Sequence, residues 1–158
     1  MDTKDKVSTP KLPSKNRVNS VEYVGKWGDK FTVMSLVTSD EVDQSFISNL
    51  WAFHSDNAAW KLIEADLKIE FPNRICINIE NHIYFLSERC KDVIGIYDDL
   101  VVSFEMINEK IELLDLPIEV VSLPTKRLMK LGGLALAAYN NVREENFEIW
   151  RFNERDKT

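Results

Sequence analysis

Cysteine, glycine and histidine are all scarce in this chain, with two, five and two copies in 158 residues. Cys76 and Cys90 are too few for a disulfide framework. Neither a Cys-x-x-Cys nor a histidine at ligand spacing accompanies them, so both are expected as reduced thiols and no metal site is expected. With so little glycine there is no G-x-x-x-x-G-K-[ST], G-x-G-x-x-G or G-x-S-x-G, and no cofactor is expected. Long apolar runs are also missing. No stretch approaches the roughly 20 residues of a membrane helix, and the N-terminus lacks the apolar centre of a signal peptide, so a soluble, cytoplasmic protein without a membrane partner is expected.

Basic residues are the fifth shortage, and it is local. Residues 31–121 carry six Lys/Arg against 17 Asp/Glu, a net charge of −11, whereas both flanks are slightly basic and the whole chain is at −6. A field of this sign repels nucleic acid and attracts basic partners; its plainer use is solubility.

What is present is enough for one domain: 44% hydrophobic and 10% aromatic residues can fill an ordinary core. Residues 1–19, rich in Lys, Ser, Thr and Asn with Pro10 and Pro13, are expected as a disordered arm, residues 20–152 as the domain, and 153–158 as a charged tail. The strongest local pattern is Arg74 to Leu86, where Ile75, Ile77 and Ile79 alternate before a reversal expected at Asn81-His82, a β-hairpin signature. An earlier hairpin is expected to turn at Gly28-Asp29, with Gly25 also suited to a bend. Further strands are expected at Val93–Tyr97, Val101–Ile107 and Ile118–Leu123, with Asp98-Asp99 as a polar turn, and an apolar strand or helix end at Phe147–Trp150. Glu109–Leu116 fits neither period.

Helices are read from intervals of three and four. Thr38 to Glu41 matches a capping box before Val42, Phe46, Leu50 and Phe53. Ser55 or Asp56 would cap the clearest helix, with Ala59, Trp60, Ile63 and Leu67 on one face and an end before Pro72. A second long helix is expected over Lys126–Asn141, where Gly132-Gly133 would cost about 2 kcal/mol relative to alanine. The expected fold is α+β, a mostly antiparallel sheet carrying two principal helices.

Chemistry is thin. His54 with Asp56 has the residue types of a base and its orienting carboxylate, but a polar helix end is the simpler account, as a turn is for His82. Asp98-Asp99 with Glu105 or Glu80 has the oxygen ligands a divalent ion wants, yet adjacent aspartates are more often solvated. Four tryptophans suggest a stacking surface for single-stranded nucleic acid, which the negative field opposes.

Trp51 and Trp60, nine residues apart, followed by the hairpin Ile-Asn-Ile-Glu-Asn-His-Ile-Tyr-Phe-Leu, resemble immunity proteins of bacterial contact-dependent growth inhibition systems, in the group whose toxins cleave RNA. A similar Trp-x8-Trp and an apolar hairpin turning at consecutive asparagines occur there in the same order. The likeness spans residues 46–90, with His82 in place of the second asparagine. It implies inhibition by binding, without catalysis, of the C-terminal nuclease domain of a toxin. Charge and local position, not the resemblance, nominate the contact acids: Asp56, Glu64, Asp66, Glu80, Asp98, Asp99 and Glu105. The alternatives are an acidic assembly subunit and a small enzyme with a pocket around His54, Asp98 and Asp99.

Overall fold

A computed structural model describes residues 10–11, 20–38, 47–64, 67–90, 96–139 and 148–153. Among them are twelve β-strands and one helical turn: β1 (Ser20–Trp27), β2 (Lys30–Thr38), β3 (Ile47–His54), β4 (Ala59–Ile63), β5 (Ile69–Glu70), β6 (Cys76–Ile79), β7 (His82–Cys90), β8 (Tyr97–Glu105), β9 (Lys110–Asp115), α1 (Ile118–Val121), β10 (Thr125–Lys130), β11 (Leu134–Tyr139) and β12 (Glu148–Arg151). The expected α+β fold with two principal helices is therefore wrong; the regular structure among the described residues is almost entirely antiparallel sheet.

The strands form three sheets: β1-β2-β3-β4; β5-β7-β8-β9, with β6 also paired to β7; and β10-β11-β12. The second sheet lies in the middle. On one face Ile83, Phe85, Leu100, Val102 and Phe104 meet Tyr23, Met34, Leu36, Leu50 and Ala52 of the first sheet. On the other, Tyr84 and Val101 meet Leu128, Leu134, Leu136 and Ala138 of the third. A strand buried on both faces needs apolar side chains at odd and even positions alike, which is why Leu100-Val101-Val102 runs unbroken. Tyr23 stacks on Phe85 at 4.4 Å between ring centroids, and its hydroxyl donates to the Asn73 carbonyl.

The segments read as helices are hairpins. β3 and β4 pair from His54↔Ala59 to Leu50↔Ile63, around a turn at residues 55–58 in which Ala58 has φ 51°. Ser55 caps the neighbouring hairpin instead of a helix, its hydroxyl accepting from the Phe31 N–H at 3.0 Å. Apolar residues on both faces of β3 gave the false three-to-four spacing; aromatic side chains suit a pleated surface and settle into cross-strand pairs such as Phe53↔Trp60. The expected helix over Lys126–Asn141 is β10 and β11, with Gly132 and Gly133 forming the turn at φ 63° and 136°. The glycines impose no helix penalty because they supply the left-handed backbone the turn needs. The capping-box start at residues 39–46 lies outside the described residues.

The opposite error occurs at Ile118–Leu123, expected as a strand: Pro117 precedes a single turn of helix, α1, that buries Val120 and leaves Ile118 exposed. Asp98-Asp99 is not a turn but the start of β8, paired with Arg89 and Glu88. The central hairpin exists, yet it turns at Glu80-Asn81, one residue earlier than expected, and His82 opens β7 with its ring stacked on Tyr84. Asn78 holds this turn, donating to the carbonyls of Glu80 and His82 at 3.2 and 3.0 Å, and its oxygen accepts from the Lys26 N–H at 2.7 Å, tying β1 to β6. Gly28 makes the first turn as expected. Gly25 does not bend the chain; it lets two sheets approach, since a Cβ there would lie 2.6 Å from Ile83 Cγ1. Among the described residues no helix is long and apolar enough to cross a membrane.

Candidate functional site

The hairpin turns at Gly28-Asp29, residues 55–58, Glu80-Asn81, residues 106–109 and residues 131–133 gather at one end of the three layers. The Met106 N–H donates to the Asn81 carbonyl at 2.8 Å, His54 reaches Glu109, and Lys130 joins Gly28 and Glu80 around one cleft of about 560 Å³. Trp27 and the exposed Ile107 also line this cleft. Loops carried on rigid strands are where binding surfaces are usually built.

Three of the nominated acids lie at this end, and two of them are occupied. Asp56 pairs with Lys30 Nζ at 3.2 Å, which holds its carboxyl below the usual range. Glu105 accepts from Asn81 Nδ2 at 2.6 Å and from the Ile107 and Asn108 N–H groups at 3.2 and 3.0 Å, so it caps its own turn. Burial pushes its carboxyl up, but the Asn108 and Ile107 bonds outweigh that and hold it low. Glu80 is exposed at the tip of its hairpin.

Behind the tips a polar chain crosses between the first two sheets. Trp27 Nε1 donates to Thr32 Oγ1 at 3.1 Å, Thr32 Oγ1 lies 2.8 Å from His54 Nδ1, and His54 Nε2 lies 3.2 Å from Glu109 Oε1, whose other oxygen pairs with Lys61 at 2.8 Å. The Thr32 hydroxyl, with one proton and two lone pairs, serves both Trp27 and His54, and Nε2 of the imidazole faces the Glu109 carboxylate. Hydroxyl, imidazole and carboxylate are thus in triad order, but Thr32 is 0% exposed, so the chain ties sheets together and presents no nucleophile.

The opposite end holds Asp98, Asp99 and Glu64. From Asp98 to Glu105 along β8 is roughly 23 Å at 3.3 Å per residue, so His54 and the Asp98-Asp99 pair do not share a pocket. Glu64 is exposed just past β4, and Asp66 lies outside the described residues. The nominated acids therefore do not form one surface.

Strand register assembles a different group. Glu70↔Glu88 and Glu88↔Asp99 are cross-strand partners, which places three carboxylates in a row across β5, β7 and β8 on the face turned to the third sheet. Glu70 is 3% exposed, and its Oε2 has no hydrogen-bond partner among the described residues. Burial first, then the charges of Asp99 and Glu70, push the Glu88 carboxyl up, against the pull of Lys126. Lys126 is itself nearly buried; its Nζ donates to Asp99 Oδ2 and to the Leu123 carbonyl. Glu88, Asp99 and Lys126 open onto a pocket of about 210 Å³. Only Asp99 of this group was nominated from sequence. Glu70, Glu88 and Lys126 are far apart in the chain, and no local pattern marks them.

Among the described residues no group of His, Cys, Asp and Glu side chains has a metal-holding arrangement. Compared with protein-family models, with curated proteins and with solved structures, the chain matches none.

Proposed function

We propose that the chain is a non-catalytic inhibitor, an immunity protein that binds a basic nuclease toxin domain in the bacterial cytoplasm and covers its active or substrate-binding surface. The observation that carries this reading is the Glu88–Asp99 pair at the mouth of an open pocket, with buried Glu70 behind it and Lys126 as the cation that meets Asp99. Like charges directly opposite one another in a sheet are destabilising, and a cation from outside that reached the half-buried Glu88 would relieve that repulsion. A nuclease must be basic to hold phosphate, and a protein with clustered carboxylates offers it the same charge as its substrate. The strongly acidic middle of the chain and the Trp51–Trp60 and hairpin resemblance point the same way.

The test is co-expression with the C-terminal domain of a toxin encoded beside this chain. Restored growth and co-purification support the reading; persistent growth arrest with both proteins folded refutes it. A second reading, an acidic assembly subunit that docks through the turn-end cleft, is favoured by one observation, the exposed Ile107 beside Trp27. Ile107→Asp would abolish binding under the second reading and leave toxin binding intact under the first.

A further inference from the structure

Trp51 and Trp60 are not absorbed by the charge-based reading, and neither belongs to the two cores. Because Phe53 pairs with Trp60 and Trp51 with Leu62, both indoles project from the outer face of the first sheet, diagonal to one another. The Phe53 ring sits between Trp60, at 5.6 Å, and Phe31, at 6.3 Å. This face is turned away from the other two sheets, yet Phe53 on it is only 4% exposed. One contact on it comes from fifty residues upstream: Trp60 Nε1 donates to the carbonyl of the exposed Pro10 at 2.8 Å. A second donor lies on the same face: among the described residues Trp51 Nε1 is buried with no hydrogen-bond partner.

We propose that this aromatic face is a seat for a proline-bearing extended segment, filled in cis by the chain's own N-terminal arm around Pro10, which acts as a displaceable strap. The arm has the right chemistry. Pro10-Lys11-Leu12-Pro13 places two prolines three residues apart, the repeat of a polyproline II helix, whose backbone carbonyls stay free for an outside donor. Aromatic grooves recognise such segments because proline is already fixed in φ and loses little entropy on docking. The carboxylates proposed to meet a toxin take no part in this seat.

Limited digestion of the full chain with a lysine-specific protease tests it, with Lys4 and Lys11 as outer and inner sites on one arm. A seated strap predicts slower cleavage after Lys11 than after Lys4. Trp60→Phe keeps the ring but removes the donor, and losing one hydrogen bond of ordinary strength raises the Lys11 rate about fivefold with Lys4 unchanged. Should that variant fold poorly, Pro10→Gly, which alters only the arm, is predicted to speed both Lys11 cleavage and hydrogen exchange of the Trp60 indole proton. Equal cleavage at the two lysines, or a Trp60 indole that exchanges at the rate of a free indole, overturns the proposal. So does protection that disappears on dilution, which would assign the seat to the arm of a second copy.

Discussion

Gly25 sits where the first sheet comes closest to the second, and adding one methyl group there tests the layered packing directly. An ideal Cβ at residue 25 would lie 2.6 Å from Ile83 Cγ1, 2.7 Å from Ile83 Cδ1 and 2.7 Å from Met106 Sδ. Each is inside van der Waals contact. The Met106 thioether can swing aside, but Ile83 is 0% exposed on a central strand and branched at Cβ, so it has few rotamers to retreat to. Overpacking of this kind costs about 1–3 kcal/mol, and Gly→Ala in a strand returns roughly 0.5–1 kcal/mol by restricting the unfolded chain. Gly25→Ala should therefore lose on the order of 1–2 kcal/mol, a fall in Tm of roughly 2–8 °C for a domain of this size. Urea unfolding gives the comparison, with an unchanged m-value showing that the unfolded state is the same. In an Ile83→Ala background both nearest atoms are gone, and the same substitution should become neutral or stabilising. A neutral or stabilising Gly25→Ala in the wild-type chain would refute the close approach of the two sheets.

The remaining predictions concern the polar groups. Thr32→Val should cost about 1–3 kcal/mol in urea unfolding, because it strands the Trp27 indole donor and His54 Nδ1 in a buried site; a loss below about 0.5 kcal/mol would mean the tie is not formed. Glu88→Gln should raise Tm at pH 7: a carboxyl whose folded pKa is raised destabilises once ionised, and the benefit disappears as pH falls below its ordinary value of 4.5. Glu105→Ala has the opposite pH signature, since a carboxyl held low stabilises the fold only while ionised. Its penalty, about 1–2 kcal/mol from the lost turn bonds, should be full near neutrality and vanish in acid, as followed by thermal melts across pH.

Hairpins whose turns carry their own signal were legible in the sequence. Gly28-Asp29 marks the first, and the Ile75-Ile77-Ile79 alternation marks the central one to within a residue. What misled was burial on both faces. β3 carries Leu50 and Ala52 inward and Trp51 and Phe53 outward, so period-two alternation is lost and any three-to-four spacing can be picked from the remainder. Only pairing with β2 and β4 distinguishes strand from helix there, and pairing is not a local property. The Gly132-Gly133 pair was readable but misread: two glycines that would weaken a helix are what a turn between Leu128 and Leu136 requires. For the candidate site, Asp99 stood out as a charged position, but its neighbours Glu70, Glu88 and Lys126 come together only through register and layer packing.

Whether this protein acts by occupying a basic partner is decided by mixing it with the nuclease domain of an adjacently encoded toxin and measuring complex formation and residual RNA cleavage. The expected result is an equimolar complex, cleavage abolished at equivalence, and association slowed roughly tenfold by added salt or by Glu88→Gln with Asp99→Asn. Full cleavage in the presence of excess folded protein, or inhibition indifferent to salt and to both substitutions, would contradict it.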